Sequence, residues 1–147
     1  MRIVGTACLS FLVSACASNT DRIEDLARES HLTRTMFDAE GYRTFIYMRP
    51  NTSAADRLTV FLEGDGVPWR AGIVPSTDPS TAHPIALRLL MRTPGAGADV
   101  ARPCYHELPS ARCTPELWTN ARYSVEVVDA MAATVREAAR LAAAREI

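Results

Sequence analysis

Leu58-Thr59-Val60-Phe61-Leu62-Glu63-Gly64-Asp65-Gly66-Val67-Pro68-Trp69 decides how this chain folds. Its first five residues form a β-branched and aromatic run, apolar enough for a strand that lies inside a sheet and not at a half-exposed edge. The run breaks directly into a Gly-x-Gly turn, with Glu63 just before it and Asp65 inside it. Gly64 and Gly66 permit positive φ and leave backbone N–H groups open to a ligand, with no Cβ in the way. A strand that ends in such a loop and is followed by a helix is a common scaffold for an oxyanion hole.

Upstream, residues 35–38 and 42–48 read as the two arms of a β-hairpin joined through Ala39-Glu40-Gly41, and residues 51–56 as a polar loop. Downstream, Pro75, Asp78 and Pro79 mark an irregular stretch, a candidate lid or pocket wall. A helix is expected from Thr81 or His83, with Pro84 in its first turn, apolar Ile85, Leu87, Leu89, Leu90 and Met91, and a stop at Pro94-Gly95. Residues 98–101 suggest a short fourth strand, and Glu116-Leu117-Trp118 a helical turn. Ser124 caps the last helix, with Glu126 and Asp129 near its positive end. Val125, Val128, Met131 or Ala132, Val135, Ala139 and Ala142 form its apolar stripe, Arg136, Glu137, Arg140 and Arg145 lie mostly off it, and the helix is expected to reach Ile147.

The first residues read as an address. Arg2 is a minimal positive region, residues 3–13 are an apolar run too short to span a bilayer, and Val13-Ser14-Ala15-Cys16 follows. That sequence resembles the lipobox of bacterial lipoproteins, which implies cleavage after residue 15 and acylation of Cys16. Several acyl chains then anchor a domain that one chain would hold only marginally. An ordinary secretory signal cleaved near Ala15 or Ala17 is the alternative. Ala17 and Ser18, with no Asp after the cysteine, resemble the pattern that sorts lipoproteins to the outer membrane, facing the periplasm. Residues 1–15 are thus a signal peptide, 16–34 a tether and leader segment, and 35–147 one domain. The formal net charge of −1, with both signs mixed, gives no basic face for nucleic acid.

Four cysteines fit export. Cys8 leaves with the signal and Cys16 is lipidated, so Cys104 and Cys113 remain to pair in an oxidising compartment. Closing so short a loop stabilises by about 2–3 kcal/mol in the chain-entropy picture. A metal site that includes His106 is the rival reading, but one histidine and two thiols at this spacing match no common zinc pattern.

Hairpin, strand, glycine loop, helix, strand and helix resemble the opening half of the α/β-hydrolase fold. The residues that carry the resemblance are Phe61-Leu62-Glu63-Gly64-Asp65-Gly66 and the downstream block Ala101-Arg102-Pro103-Cys104-Tyr105, Cys113, Trp118 and Arg122-Tyr123-Ser124. They look like a bacterial exported, lipoprotein type of that family. The resemblance implies an α/β fold with a partial sheet of about four strands and helices on its faces. It makes Gly64, Asp65 and Gly66 the candidate oxyanion-donor loop, with Trp69 as a pocket candidate or simply a cover for the loop. Glu63 and Asp65 could serve acid–base chemistry, though carboxylates so placed more often hold a turn.

The departure from the family is large. No Gly-x-Ser-x-Gly elbow occurs, Ser124 sits at a helix start, and His31, His83 and His106 all precede the place where the elbow belongs. The nucleophile, acid and base are therefore not present, and the chain is expected to stop short of the elbow as a fragment. The implied function is that of an exported serine hydrolase acting on a small-molecule ester or amide, with no cofactor, inactive as this chain alone. The competing expectation is a non-catalytic surface lipoprotein that binds a ligand or partner.

Overall fold

The computed structural model describes residues 18–50, 55–106 and 111–147. The signal peptide, Cys16 and most of the polar loop expected over 51–56 lie outside the described residues. Helix α1 (Asn19–Glu29) occupies the stretch expected to be a tether. Ser18 and Asp21 close a capping box on it, with Asp21 N–H donating to Ser18 Oγ at 3.1 Å and Ser18 N–H to Asp21 Oδ2 at 2.8 Å. Ile23 and Ala27, four residues apart on one face, are buried.

Strands β1 (Thr33–Ala39) and β2 (Tyr42–Met48) form the expected hairpin, in register from Thr33 opposite Met48 to Ala39 opposite Tyr42. Next come β3 (Thr59–Leu62), a small hairpin of β4 (Trp69–Arg70) and β5 (Val74–Pro75), α2 (Ile85–Arg92) and β6 (Gly97–Val100). A 3-10 turn at Pro115–Trp118 and helix α3 (Val125–Leu141) complete the order. The main sheet runs β1-β2-β6-β3; β2 and β6 are antiparallel, whereas β6 and β3 are parallel. The fold class is α/β, with a four-stranded mixed sheet.

Alternation along the strands divides the core. Phe45 and Tyr47 of β2 face α1 and α2, packing with Ile23, Leu87 and Leu90; Ile46 and Met48 face α3, packing with Val100, Ala138 and Ala142. Tyr42, Tyr105, Leu117 and Trp118 gather around the Cys104–Cys113 disulfide, whose Cα atoms are 5.5 Å apart.

Further sequence expectations meet the structure. Among the described residues β3 is the last strand of the sheet, an edge as the absence of a following strand implies although its apolar run suits an inner strand, and its end residues Thr59 and Leu62 are exposed. Helix α2 begins at Ile85 with Pro84 as its N-cap. Before it, Asp78 and Thr81 side chains accept from the N–H groups of Ser80 (2.9 Å) and His83 (3.0 Å), local bonds that compete with helix formation. Helix α3 buries Val127, Ala130, Thr134 and Ala138, with Ala142 at its C-cap, whereas Val125 and Val128 of the expected stripe are exposed, because the face that meets the sheet is set one position away from the most apolar one. It ends at Leu141 and not at Ile147. The chain turns at Ala143 (φ 46°), and Glu146 pairs with Arg57: Leu58 N–H donates to Glu146 O at 2.9 Å, Glu146 N–H to Asp56 O at 3.0 Å. The last residues have exchanged helical bonds for strand pairing. Among the described residues no helix is long and apolar enough to cross a membrane.

Polar groups are sealed beneath α1 and α2. Asp99 on β6 lies opposite Tyr47, is fully buried, and neither of its oxygens has a partner among the described residues. Burial, then the nearby Glu63 charge, pushes its carboxyl well up; burial also raises Glu63. His106 is fully buried, its Nδ1 3.2 Å from Tyr47 Oη, and burial followed by the Arg34 charge pushes it down to about 3.

These groups pull stability in opposite directions with pH. The two acids hold protons more tightly when folded, so their contribution is full below the ordinary carboxylate range, about pH 4, and is lost as pH rises through their raised values. His106 contributes fully above about pH 6.5, and that contribution is lost as pH falls towards its depressed value. In melts recorded from pH 4 to pH 8, Asp99→Asn should therefore lose stability on acidification more steeply than wild type. His106→Gln should instead lose it on alkalinisation. Superimposable profiles for wild type and Asp99→Asn would show that Asp99 is ionised in the folded chain.

Candidate functional site

The glycine loop leaves the carboxyl end of β3. Glu63 N–H still donates to Val100 O at 3.1 Å, so the parallel pairing runs one residue past Leu62 before the backbone departs. Glu63 turns under α2. Backbone N–H groups of Gly64, Ala86 and Leu87 favour its charge, the last two from the positive end of that helix. Its Oε1 accepts from Gly64 N–H at 3.2 Å. Glu63 thus pins the start of the loop, the turn-holding role that closely spaced carboxylates often take.

Asp65 is the hub of the site. Its carboxylate meets Arg122 Nε at 3.1 Å and Arg102 Nη1 at 3.4 Å, and accepts from the Tyr123 hydroxyl at 2.9 and 3.0 Å. Tyr105 donates its hydroxyl to Asp65 O at 2.8 Å. Arg102 also donates to Arg122 O, and Arg122 Nη1 to Thr119 O at 2.8 Å. Both guanidinium groups lie beside the Tyr123 ring, 5.3 and 5.1 Å from its centre. Arg102, Tyr105, Arg122 and Tyr123 of the downstream block therefore converge on the loop. Two guanidinium groups thus face the one Asp65 carboxylate.

Gly66 sits at φ 60°, where a Cβ would lie 2.1 Å from Pro79 O and 3.0 Å from Tyr105 Cε1. Val67 N–H donates to Pro79 O at 2.8 Å, which ties the loop's exit to the irregular stretch. Among the described residues the N–H groups of Asp65 and Gly66 meet no protein acceptor, whereas that of Gly64 is taken by Glu63. Trp69 lies on β4, half-buried. The disulfide places Tyr105 next to Cys104 (φ 67°), and Trp118 Nε1 donates to Ser76 O at 3.1 Å, holding the far wall of the loop.

Beside the loop a groove of about 570 Å³ opens between β3 and α3, bounded by Leu62, Glu63, Arg122, Tyr123, Val128 and Met131. Trp69 is not among its lining residues. No catalytic pair stands in it. Ser124 Oγ accepts from Val127 N–H at 3.5 Å as a helix cap, His31 and His83 are exposed, and buried His106 bonds Tyr47. Cys104 and Cys113 are joined to each other and offer no thiolate; among the described residues no group of three His, Cys, Asp or Glu side chains could hold a metal.

The hub's charge pairs were outside the sequence reading, although Arg102, Arg122 and Tyr123 belong to the quoted block. The one available signal was Asp65 itself, a carboxylate inside an otherwise small-residue turn. Asp99 had a clearer one, a charge in the middle of an apolar strand.

Replacing the two glycines separates backbone demand from general loop sensitivity. Gly66→Ala should cost at least about 1–3 kcal/mol from the left-handed conformation alone. Gly64→Ala should stay within about 0.5 kcal/mol, since nothing lies within 4 Å of its Cβ position. Asp65→Asn, which takes the anion from the buried Arg102 while Arg122 and Tyr123 keep some contact with solvent, should cost about 1–3 kcal/mol. Urea midpoints give all three, and equal values for the two glycine variants would mean that the loop is not held as described.

No family model, curated protein or solved structure matches this chain, so its function has to be read from this geometry.

Proposed function

We propose that this chain forms the oxyanion-loop part of an exported serine hydrolase of the α/β-hydrolase type, acting on an ester or amide. The observation that carries the reading is the glycine loop at the carboxyl end of β3, braced through Asp65 by residues from the downstream block. The sheet order β1-β2-β6-β3, antiparallel in its first two pairings and parallel in the last, supports it as the opening half of that fold. In α/β sheets ligands gather at the carboxyl ends of strands, which is where this loop lies.

The chemistry follows from the loop. Asp65 and Gly66 offer backbone N–H groups to an oxygen that gains negative charge as a carbonyl is attacked. Arg102 and Arg122 offset the Asp65 charge, which would otherwise oppose that anion. Donors alone give a small remnant of such catalysis, because nucleophile and base act as a unit. The nucleophile, acid and base are not among this chain's residues, so the chain by itself is inactive. Acylated Cys16 places the domain on the outer membrane, facing the periplasm.

Two experiments test this reading. A fluorophosphonate probe should leave the purified chain unlabelled. In native envelopes, a polypeptide containing or bound to these residues should label at a serine and lose that labelling with Gly66→Val. Labelling of the purified chain at Ser124, or no labelled serine in the envelope material, overturns the hydrolase reading and favours a ligand-binding lipoprotein. Separately, a metabolic fatty-acid label should mark wild type and not Cys16→Ala; equal labelling of both removes the anchor.

A further inference from the structure

The sheet has a second edge at β1, on the side away from β3 and from the pairing of Glu146 with Arg57. Hydrogen bonds further in fix which of its backbone groups face outward. Ala101 N–H donates to Phe45 O at 2.9 Å, so Phe45 presents its backbone to β6. Alternation then turns the backbone groups of Thr44 and Ile46 towards β1, where they meet Phe37 and Thr35. The N–H and C=O groups of Arg34, Met36 and Asp38 therefore point away from the sheet, and among the described residues these main-chain groups have no partner.

An edge strand of this length is usually blunted by a proline, a bulge or a covering segment. β1 contains no proline, and its register with β2 is unbroken from Thr33 to Ala39. Met36, at its centre, is 59 % exposed. The residue pattern is instead self-complementary. Antiparallel pairing of two copies about a two-fold axis through Met36 sets Met36 opposite its counterpart, Arg34 opposite Asp38 and Thr35 opposite Phe37. Arg34, Met36 and Asp38 carry the outward backbone groups, so each of their pairs exchanges two N–H···O bonds. A slip of four residues would set two Arg34 or two Asp38 side chains against each other. Arg34 already holds Glu24 at 3.2 Å and donates to His106 O at 3.1 Å, yet its side chain stays 35 % exposed; Asp38 accepts from Gly41 N–H at 2.8 Å and is exposed. Open ion pairs of this kind add little affinity, but they select register.

We propose that β1 is a homodimer edge. Two copies of this chain pair antiparallel through Arg34, Met36 and Asp38, which joins their four-stranded sheets into one continuous sheet. Thr35 against Phe37 adds a β-branched-on-aromatic contact on the α3 face. The two Met36 side chains meet at the axis on the α1 face, each beside the groove of about 600 Å³ that it lines with Arg34 and Phe45. Because the contact is isologous, it closes at two copies. It requires no catalytic role for the glycine loop.

Sedimentation velocity of the full chain reads the state, with a thermal melt recorded beside it. Wild type should sediment as a dimer. Met36→Lys and Met36→Glu each set like charges across the axis at an exposed position. Either variant alone should dissociate at least tenfold more readily than wild type, with an unaltered melt. An equimolar mixture of the two sets opposite charges across the axis and should restore the dimer. The proposal is overturned by any of three results. These are a wild type that stays monomeric up to its solubility limit, association of either variant alone as tight as wild type, or a mixture no tighter than its components. The second would place self-association at the β3 edge instead.

Discussion

The carboxylate of Asp65, set between Arg102 and Arg122 and under the Tyr123 hydroxyl, is the contact on which the arrangement of this domain's working end depends. It joins a loop that leaves β3 to the segment that leads into α3, across 57 and 58 residues of chain. Surface ion pairs contribute little, but Arg102 is almost fully buried, and a buried guanidinium without its anion is costly. The tie therefore acts as a constraint on geometry more than as a source of net stability. With Asp65 fixed, Gly66 is forced against Pro79, the loop's exit is set, and the mouth of the groove takes its shape.

What could be read from the sequence follows from how local each signal is. The hairpin of β1 and β2 and the Ser124 cap of α3 rest on spacing within a few residues, and they were legible; the buried face of α3 was not, because Val127, Ala130, Thr134 and Ala138 turn inward while Val125 and Val128 stay exposed. Helix α1 carries only three apolar side chains, Ile23, Leu26 and Ala27, among charges, so its composition suggests a tether. The capping box of Ser18 and Asp21 is the one local mark of a helix there. The edge position of β3 follows from the family's strand order and not from its own residues, because an apolar strand reads the same whether or not a neighbour covers it. The end of α3 was missed because its alanine-rich sequence keeps helical propensity beyond Leu141, while pairing of Glu146 with Arg57 decides otherwise.

The site divides in the same way. The glycine loop announces itself through residue type, but the partners of Asp65 are distant in sequence and no spacing rule connects them. Asp99 stands out as a charge within an apolar strand, but its nearness to Glu63 does not, because that arises only from the parallel pairing of β3 and β6. Both features are products of the sheet's topology. They become visible once strand order is known.

The disulfide carries a consequence for how this loop keeps its shape. Cys104 bonds to Cys113, and the next residue, Tyr105, holds the Asp65 carbonyl through its hydroxyl. The oxidation state of two sulfurs is thereby coupled, through one ring, to the backbone that presents the Asp65 and Gly66 N–H groups. The bond between the two sulfurs thus limits how far the segment that carries the Tyr105 ring can move away from the loop.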